Sequence, residues 1–225
     1  MGIILNLETA TTNCSVSLAK NGELLALKEQ NTPNFSHAEK LHVFISEVLH
    51  RSGLKMEQVD AIAVSKGPGS YTGLRIGVSA AKGLCFALGV PLISISTLKS
   101  MAYQVITDEI DFIIPVLDAR RMEVYSAVFD TKGNQVRETK AEIIEESSFG
   151  EFAKKHKVLL AGSGADKCKP VLTHANFDFT TEVVPSAREM SLLSHQKYVE
   201  NRFEDVAYFE PFYLKDFIVQ GGKKT

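Results

Sequence analysis

The feature that most constrains the fold is an order of secondary-structure elements that the chain goes through twice. Residues 3–7 and 14–19 have the apolar pattern of strands, and Asn21-Gly22 is a hairpin signal that leads into a third strand. A helix pattern, the apolar strand of residues 61–65, a second helix pattern and a fifth strand follow. The first half of the chain therefore predicts three strands, a helix, a strand, a helix and a strand.

The second half starts the same order again. Strands are predicted at residues 112–118 and 123–130, and a glycine turn leads into a third strand. A helix at about residues 147–156 and another strand come next. Two copies of one order predict an α/β protein with two similar lobes, and ligands are favoured in the cleft between such lobes.

The predicted lobes are residues 1–108 and 109–225. An aromatic stretch, AYFEPFYLKD, lies near the end of the second lobe. Its rings could stack nucleic-acid bases, but we expect it to pack back on the lobes, because apolar tails need to be covered.

Charge and cysteine content narrow the class of protein. The 225 residues contain 25 Lys and Arg against 27 Asp and Glu, whereas proteins that grip nucleic acid alone carry a basic excess. The three cysteines are far apart and form no disulfide framework, and the start, MGIILNLETA, lacks the basic region of a signal peptide. Arg75 and Lys82 interrupt the most apolar stretch, so no membrane span is predicted. These features indicate a cytoplasmic protein that would contact nucleic acid only through a partner.

Two acids occupy matching places in the two copies. Glu8 follows the first strand of lobe one, and Asp118 follows the first strand of lobe two. Facing each other across a cleft, such carboxylates can hold a nucleotide's magnesium through water, while the hydroxyls of Thr9, Thr11 and Thr12 and backbone N–H groups bind phosphate. Both acids can equally well cap their own turns. The sequence leaves these two interpretations open.

A glycine-rich loop, KGPGSYTG, joins the fourth strand to the second helix. Pro68-Gly69 fits a type II turn with the positive φ on the glycine, and Ser70 or Thr72 can cap the helix. The free N–H groups of the helix could hold an anion, but Lys66 precedes the glycines, so the loop is not a P-loop. It is either an anion site or a structural turn. The candidate nucleotide or anion site contains Glu8, Thr9, Thr11, Lys66, Gly67, Gly69, Ser70, Thr72, Asp118 and Arg120.

The first helix has a predicted start and stop. Ser36 with Glu39 makes a capping box, and Gly53 is a C-terminal stop. Between them, apolar residues at helical spacing form one stripe.

The second helix, predicted from about Gly73 to Leu88, is apolar almost all round. Small residues recur every fourth position on two of its faces, and such residues let another element approach closely. The helix is either wholly inside its own lobe or presents one face to a second chain, and we favour the second. The predicted partner interface contains Leu41, Phe44, Ile45, Val48, Gly73, Arg75, Ile76, Gly77, Ala80, Ala81 and Leu84.

Four segments resemble the bacterial TsaB (YeaZ) family: ILNLETATTNCSVSLAKNGEL, SKGPGSYTGLRIGVSAAKGLCFALGVPLISISTL, VLDARRMEVYSAVF and EPFYLKD. The resemblance runs from residue 3 to about residue 216, and the second segment is highly specific. It implies two RNase H-like lobes of the actin, hexokinase and chaperone ATPase superfamily.

The resemblance also implies a division of labour. A paralogue, TsaD, carries the catalytic metal and transfers threonylcarbamoyl to the adenosine next to the anticodon of tRNA, and a TsaE-like ATPase joins the pair. Thr97 and Met101 stand where TsaD has metal-binding histidines, and both are poor ligands for iron or zinc. The resemblance therefore implies a noncatalytic partner subunit with no metal of its own. It would contact tRNA indirectly, form a homodimer when alone, and meet ATP or ADP with magnesium only within the complex.

The sequence departs from the family at both acid turns. Glu8 replaces the usual aspartate, and Arg120, Arg121 and Met122 stand where superfamily ATPases commonly have glycines. Both changes argue against ATP hydrolysis by this chain. The alternative function is an autonomous ATPase or glycoprotease-like metallopeptidase, but the sequence has no HExxH and no G-x-S-x-G. No catalytic residue is predicted.

Overall fold

The computed structural model describes residues 2–33 and 36–215. Residues 216–225, which end the predicted second lobe and include Asp216 of the last family segment, lie outside the described residues. Two sheets of five strands form the framework. The first has β1 (Ile3–Glu8), β2 (Asn13–Lys20), β3 (Glu23–Asn31), β4 (Ala61–Gly67) and β5 (Leu92–Ser96), and the second has β6 (Phe112–Asp118), β7 (Glu123–Asp130), β8 (Gln135–Ile143), β9 (Val158–Ala161) and β10 (Phe177–Thr180).

Six α-helices are assigned within the described ranges. They are α1 (His37–Ser52), α2 (Tyr71–Leu88), α3 (Thr97–Tyr103), α4 (Gly150–Ala153), α5 (Ala165–Cys168) and α6 (Ala187–Val199), and a 3-10 turn covers Met56–Gln58. None of these helices is long and apolar enough to cross a membrane.

The two sheets have the same strand order. The first runs β3-β2-β1-β4-β5 and the second, read in the matching direction, β8-β7-β6-β9-β10. In each sheet the first three strands in sequence are antiparallel, and the last two extend the sheet in parallel. The prediction of an α/β protein with two similar, RNase H-like lobes is confirmed.

The first sheet is covered on both faces. Ile62 and Val64 on one side of β4 pack in the core with α1 and α2, while Ala61 and Ala63 on the other side pack against α6. Successive side chains of a strand point to opposite faces, so a strand buried on both sides needs apolar residues throughout. This explains the unbroken AIAV run.

Helix α6 comes from the sequence of the predicted second lobe but packs on the first sheet. Its Ala187, Met190 and Leu193 share a buried cluster with residues of β1, β4 and β5. The predicted boundary at residue 108 therefore separates the strands of the two sheets. Helix α6 lies after that boundary in sequence but packs on the sheet before it.

Helix α3 joins the two lobes. Leu98, Met101 and Ala102 are fully buried in one cluster with Ile113 and Leu117 of β6. The lobes thus share an apolar core, which reaches the cleft wall at Leu117 and Val183.

The C-terminal strap, defined here as residues 203–215, runs back along the first lobe. The Glu204 N–H donates to Leu92 O at 2.9 Å, and Phe212 N–H donates to Lys66 O at 2.7 Å. Lys82 Nζ donates to the carbonyls of Ala207 and Phe209. The described part of the aromatic tail therefore runs along lobe one through main-chain hydrogen bonds, while the Tyr208 ring stays exposed.

Three local predictions were wrong. Ser36 precedes α1 without a side-chain capping bond, so the capping box with Glu39 does not form, although Gly53 ends the helix in the left-handed region as predicted. The positive φ of the glycine-rich loop falls on Gly67, at 107°, and not on Gly69. The helix predicted at residues 147–156 is only the short α4.

Candidate functional site

A cleft of about 1500 Å³ separates the lobes. The turn after β1, the β4–α2 loop, the turn after β6 and the end of the C-terminal strap line it. Six predicted site residues lie on its wall: Thr11, Gly69, Ser70, Thr72, Asp118 and Arg120. The other four, Glu8, Thr9, Lys66 and Gly67, are not part of the wall.

Glu8 lies at the end of β1 and points into the protein. Its side chain is fully buried, and its Oε1 accepts hydrogen bonds from Ala10 N–H at 2.6 Å and from Ser65 Oγ at 2.7 Å. Burial raises the pKa of Glu8 to about 7, although these hydrogen bonds oppose the shift. A carboxyl enclosed in this way cannot reach a magnesium ion in the cleft, so the prediction that Glu8 faces the cleft was wrong.

Asp118 occupies the matching place in lobe two but is about half exposed. Its Oδ1 accepts from Arg120 N–H at 2.6 Å and from Lys167 Nζ at 2.7 Å. Burial acts to raise the pKa of Asp118, but the hydrogen bonds from Lys167 and Arg120 outweigh it, so the pKa lies below its usual value. The carboxylate is charged at neutral pH and already carries a cationic partner.

The turn after Asp118 is conformationally unusual. Arg120 and Arg121 have φ angles of 70° and 52°, in the left-handed region that non-glycine residues seldom adopt. This agrees with the sequence observation that related ATPases have glycines here. The two arginines lie on the cleft wall, where a glycine turn would leave more room for a phosphate.

The glycine-rich loop is filled by the chain itself. Ser70 N–H donates to Ala10 O at 2.7 Å, and a Cβ on Gly69 would overlap the same carbonyl. Ser70 Oγ accepts from Gly73 N–H at 3.2 Å and so caps α2 as predicted. The loop thus serves as a structural turn that receives the backbone of the β1 turn.

The same close approach explains the small residues of α2. A Cβ on Gly73 would overlap the carbonyl of Thr9, and one on Gly77 would overlap the Thr9 hydroxyl. Thr9 Oγ1 donates to Gly73 O at 2.8 Å. Here the helix packs against its own lobe, and this corrects the partner-interface prediction for seven residues that are buried within the chain: Leu41, Phe44, Ile45, Val48, Gly73, Gly77 and Ala81.

The opposite face of α2 is open, and we call it the α2 surface. Four of its residues belong to the predicted interface, and Phe86 on the same side of the helix is 87% exposed. A Cβ on Gly83 would meet nothing within 4 Å. The α2 surface consists of Arg75, Ile76, Ser79, Ala80, Gly83, Leu84 and Phe86, with His42 of α1 beside it.

The two positions that the resemblance compared with metal-binding histidines lie inside the protein. Thr97 and Met101 of α3 are fully buried, and Met101 packs against Gly162 of lobe two. Among residues 2–33 and 36–215, no three His, Cys, Asp or Glu side chains form a group that could hold a metal ion.

Comparison with known proteins identifies the family. Residues 33–220 match the family model described as TsaD: tRNA N6-adenosine threonylcarbamoyltransferase. The tRNA threonylcarbamoyladenosine biosynthesis protein TsaB of Escherichia coli (strain K12) is 30% identical over 226 residues, which cover 95% of this chain and 94% of that protein. The chain belongs to the TsaB (YeaZ) family. TsaB of Haemophilus influenzae is 29% identical, with 95% of this chain and 93% of that protein covered.

Solved structures agree with this assignment. A Pseudomonas aeruginosa protein described as uncharacterized, with similarity to peptidase YEAZ, has a TM-score of 0.85 at 25% identity, over 96% of this chain and 100% of its own. YeaZ from Pseudomonas aeruginosa has a TM-score of 0.80 at 24% identity, over 95% and 100% of the two chains. The family prediction made from the sequence is confirmed, and TsaB relatives share the two-lobed fold.

Several residues of the site escaped the sequence analysis. Ser65 donates to Glu8, and Lys167 pairs with Asp118, yet each lies more than 40 residues from its partner in sequence. Their proximity follows from the pairing of parallel strands, which local patterns do not contain. The place of Phe86 could have been predicted, because it lies seven residues after Ser79 and therefore on the same side of the helix.

Proposed function

We propose that this chain is a noncatalytic subunit in the biosynthesis of threonylcarbamoyladenosine on tRNA, and that its role is to bind and order a TsaD-like paralogue. Its curated relatives of near-equal length are called tRNA threonylcarbamoyladenosine biosynthesis protein TsaB. The chain would work in the cytoplasm with the paralogue and a TsaE-like ATPase. It would form a homodimer when alone and would contact tRNA only indirectly, through its partners.

The observation that carries this proposal is the α2 surface. Phe86 is almost fully exposed, and Ile76, Ala80 and Leu84 are only partly covered. Gly83 and Ser79 are small residues, so they leave the helix backbone accessible to another helix. An open apolar face with small residues at its centre fits a helix of a partner subunit.

The interior of the cleft supports a role without catalysis. Glu8 is enclosed, Asp118 is paired with Lys167, and the β4–α2 loop holds the chain's own backbone. None of these groups is placed as a general base or as an open metal ligand. ATP or ADP with magnesium would therefore bind where the partner completes a site, and this chain alone would require no cofactor.

The test is reconstitution of the modification with TsaD, TsaE, the carbamoyl-adenylate-forming enzyme and tRNA. We expect omission of this chain to abolish the product. Gly83→Arg should do the same, because a guanidinium at the centre of the α2 surface would be buried unpaired in the complex. Full activity without the chain would refute the proposal.

The matched control is Gly150→Arg. Gly150 begins α4 of lobe two, and a Cβ there, as at Gly83, would meet nothing within 4 Å. This variant should fold and support full modification. A loss of activity equal to that of Gly83→Arg would show that added charge, and not the α2 surface, is responsible.

A second candidate function is an autonomous ATPase or glycoprotease-like metallopeptidase, and the observation that favours it is the half-exposed Asp118 carboxylate on the wall of the cleft. Turnover by the purified chain that disappears in Asp118→Asn would favour it over the subunit role.

A further inference from the structure

The C-terminal strap crosses from one lobe to the other along the cleft wall. Its first part is bonded to lobe one, where Phe212 N–H donates to Lys66 O. Its last described residue, Lys215, forms an ion pair with Glu123 at the start of β7 in lobe two. Residues 212–215 line the cleft between these two attachments.

The attachment to lobe one is aromatic. The rings of Tyr213 and Tyr71 have centroids 4.9 Å apart and planes tilted by 37°. Arg75 lies over Tyr71, and its guanidinium carbon is 5.3 Å from the centre of the Tyr71 ring. Arg75 Nη1 donates to the Tyr71 hydroxyl at 3.0 Å. A ring pair of this kind adds stability beyond the apolar area it covers.

The attachment to lobe two is cationic. Lys215 Nζ pairs with the Glu123 carboxylate, donates to Ala119 O at 3.3 Å, and lies 5.8 Å from the centre of the Tyr125 ring. These three contacts of Lys215 belong to the turn after β6 and to the start of β7. They flank Arg120 and Arg121, so the strap fixes the loop that forms the lobe-two wall.

The attachments differ in kind from the shared core at α3. That core joins the lobes through buried apolar side chains, whereas Tyr213 and Lys215 join them through partly exposed contacts along the cleft wall. The attachment on lobe two lies beside the core, because the Tyr125 ring near Lys215 packs against it. Motion of two lobes about a packed core widens or narrows the cleft between them, and an exposed contact that joins the two walls opposes the widening.

We propose that the C-terminal strap is a clamp that holds the two lobes in the arrangement described above, and that release of Tyr213 and Lys215 lets the cleft widen. Both contacts are accessible to solvent and individually modest, so the clamp is reversible. A ligand in the cleft can contact the strap, because residues 212–215 are part of the wall. This device is independent of any partner and goes beyond the role proposed above.

The test is an interlobe distance measurement on the full chain by spin-label spectroscopy. Ala38→Cys on α1 and Asp166→Cys on α5 place labels on exposed positions of opposite walls, and Cys14, Cys85 and Cys168 are buried. In the double variant Tyr213→Ala/Lys215→Ala, we expect the population at longer distances to rise roughly tenfold.

The control within the strap is Tyr208→Ala, since Tyr208 is 84% exposed. It should leave the distance distribution of the parent unchanged. Glu123→Gln removes the ion pair with Lys215 from the side of lobe two and leaves the strap sequence unchanged. It should shift the distance distribution in the same direction as the double variant. An unchanged distribution in the double variant and in Glu123→Gln, or an equal shift in Tyr208→Ala, would overturn the proposal.

Discussion

Glu8 and Asp118 accept the same hydrogen bond in the two lobes: each carboxylate oxygen lies 2.6 Å from the backbone nitrogen two residues ahead. The donors are Ala10 and Arg120. The shared contact shows that both acids shape a turn at the end of the first strand. Their surroundings differ, because burial raises the pKa of Glu8, while hydrogen bonds from Lys167 and Arg120 hold that of Asp118 low.

The Glu8 carboxyl should make stability depend on pH. Its pKa rises from an ordinary value of 4.5 to about 7 in the fold, so the folded state binds the proton more tightly than the unfolded chain does. This contribution is fully present below pH 4.5 and is lost as the pH rises to about 7. The loss amounts to roughly 3 kcal/mol over that range. Glu8→Gln should remove this slope in urea unfolding, whereas Glu57→Gln at an exposed position should keep it.

Gly73, which meets the Thr9 carbonyl, and Gly83, which meets open space, should respond oppositely to alanine. Gly73→Ala would force the helix away from the Thr9 carbonyl, and we expect a loss of roughly 1–3 kcal/mol of folding free energy. Gly83→Ala meets open space and should gain up to about 1 kcal/mol from helix propensity. Chemical denaturation measures both. Equal effects would mean that α2 does not approach β1 as closely as described.

Phe86 should matter for association and not for folding. Phe86→Ala removes a ring that is 87% exposed, so the unfolding free energy should change by less than about 0.5 kcal/mol. The dissociation constant for the TsaD-like paralogue should rise about tenfold or more, as measured by calorimetry. Tyr208→Ala, at an equally exposed ring outside the α2 surface, should bind like the parent.

The purified chain should carry no stoichiometric transition metal. Thr97 and Met101 supply only a buried hydroxyl and a buried thioether, and Met101 lies in an apolar cluster, so a cation would be poorly held. Elemental analysis of the chain, with TsaD as the positive control, measures this directly. About one iron or zinc per chain after dialysis against a chelator would contradict the prediction.

The order of elements could be read from the sequence because it depends on local patterns. Alternating strands, the Asn21-Gly22 turn and the glycine that ends α1 all act over a few residues. The same patterns occur in both halves of the sequence, so two similar lobes could be predicted without any knowledge of the contacts within them.

The faces of α2 could not be read in the same way. Small residues permit close approach by any backbone, whether it belongs to a partner or to the same chain. At Gly73 and Gly77 the neighbour is Thr9, which lies more than 60 residues earlier and meets the helix only through strand pairing. Glu8 was misplaced for a related reason, because its enclosure depends on Ser65 from the next strand.

The return of α6 to the first sheet has a consequence for synthesis on the ribosome. All five strands of that sheet have been made once residue 96 has emerged, but one face of it, including Ile4 and Ile93, stays uncovered until α6 follows about a hundred residues later. The strands of the second sheet are made during this interval. Domains generally fold in the order in which they emerge. The lobe that is started first can therefore be completed only after the strands of the second, so the nascent chain carries an exposed apolar face while about a hundred further residues are made.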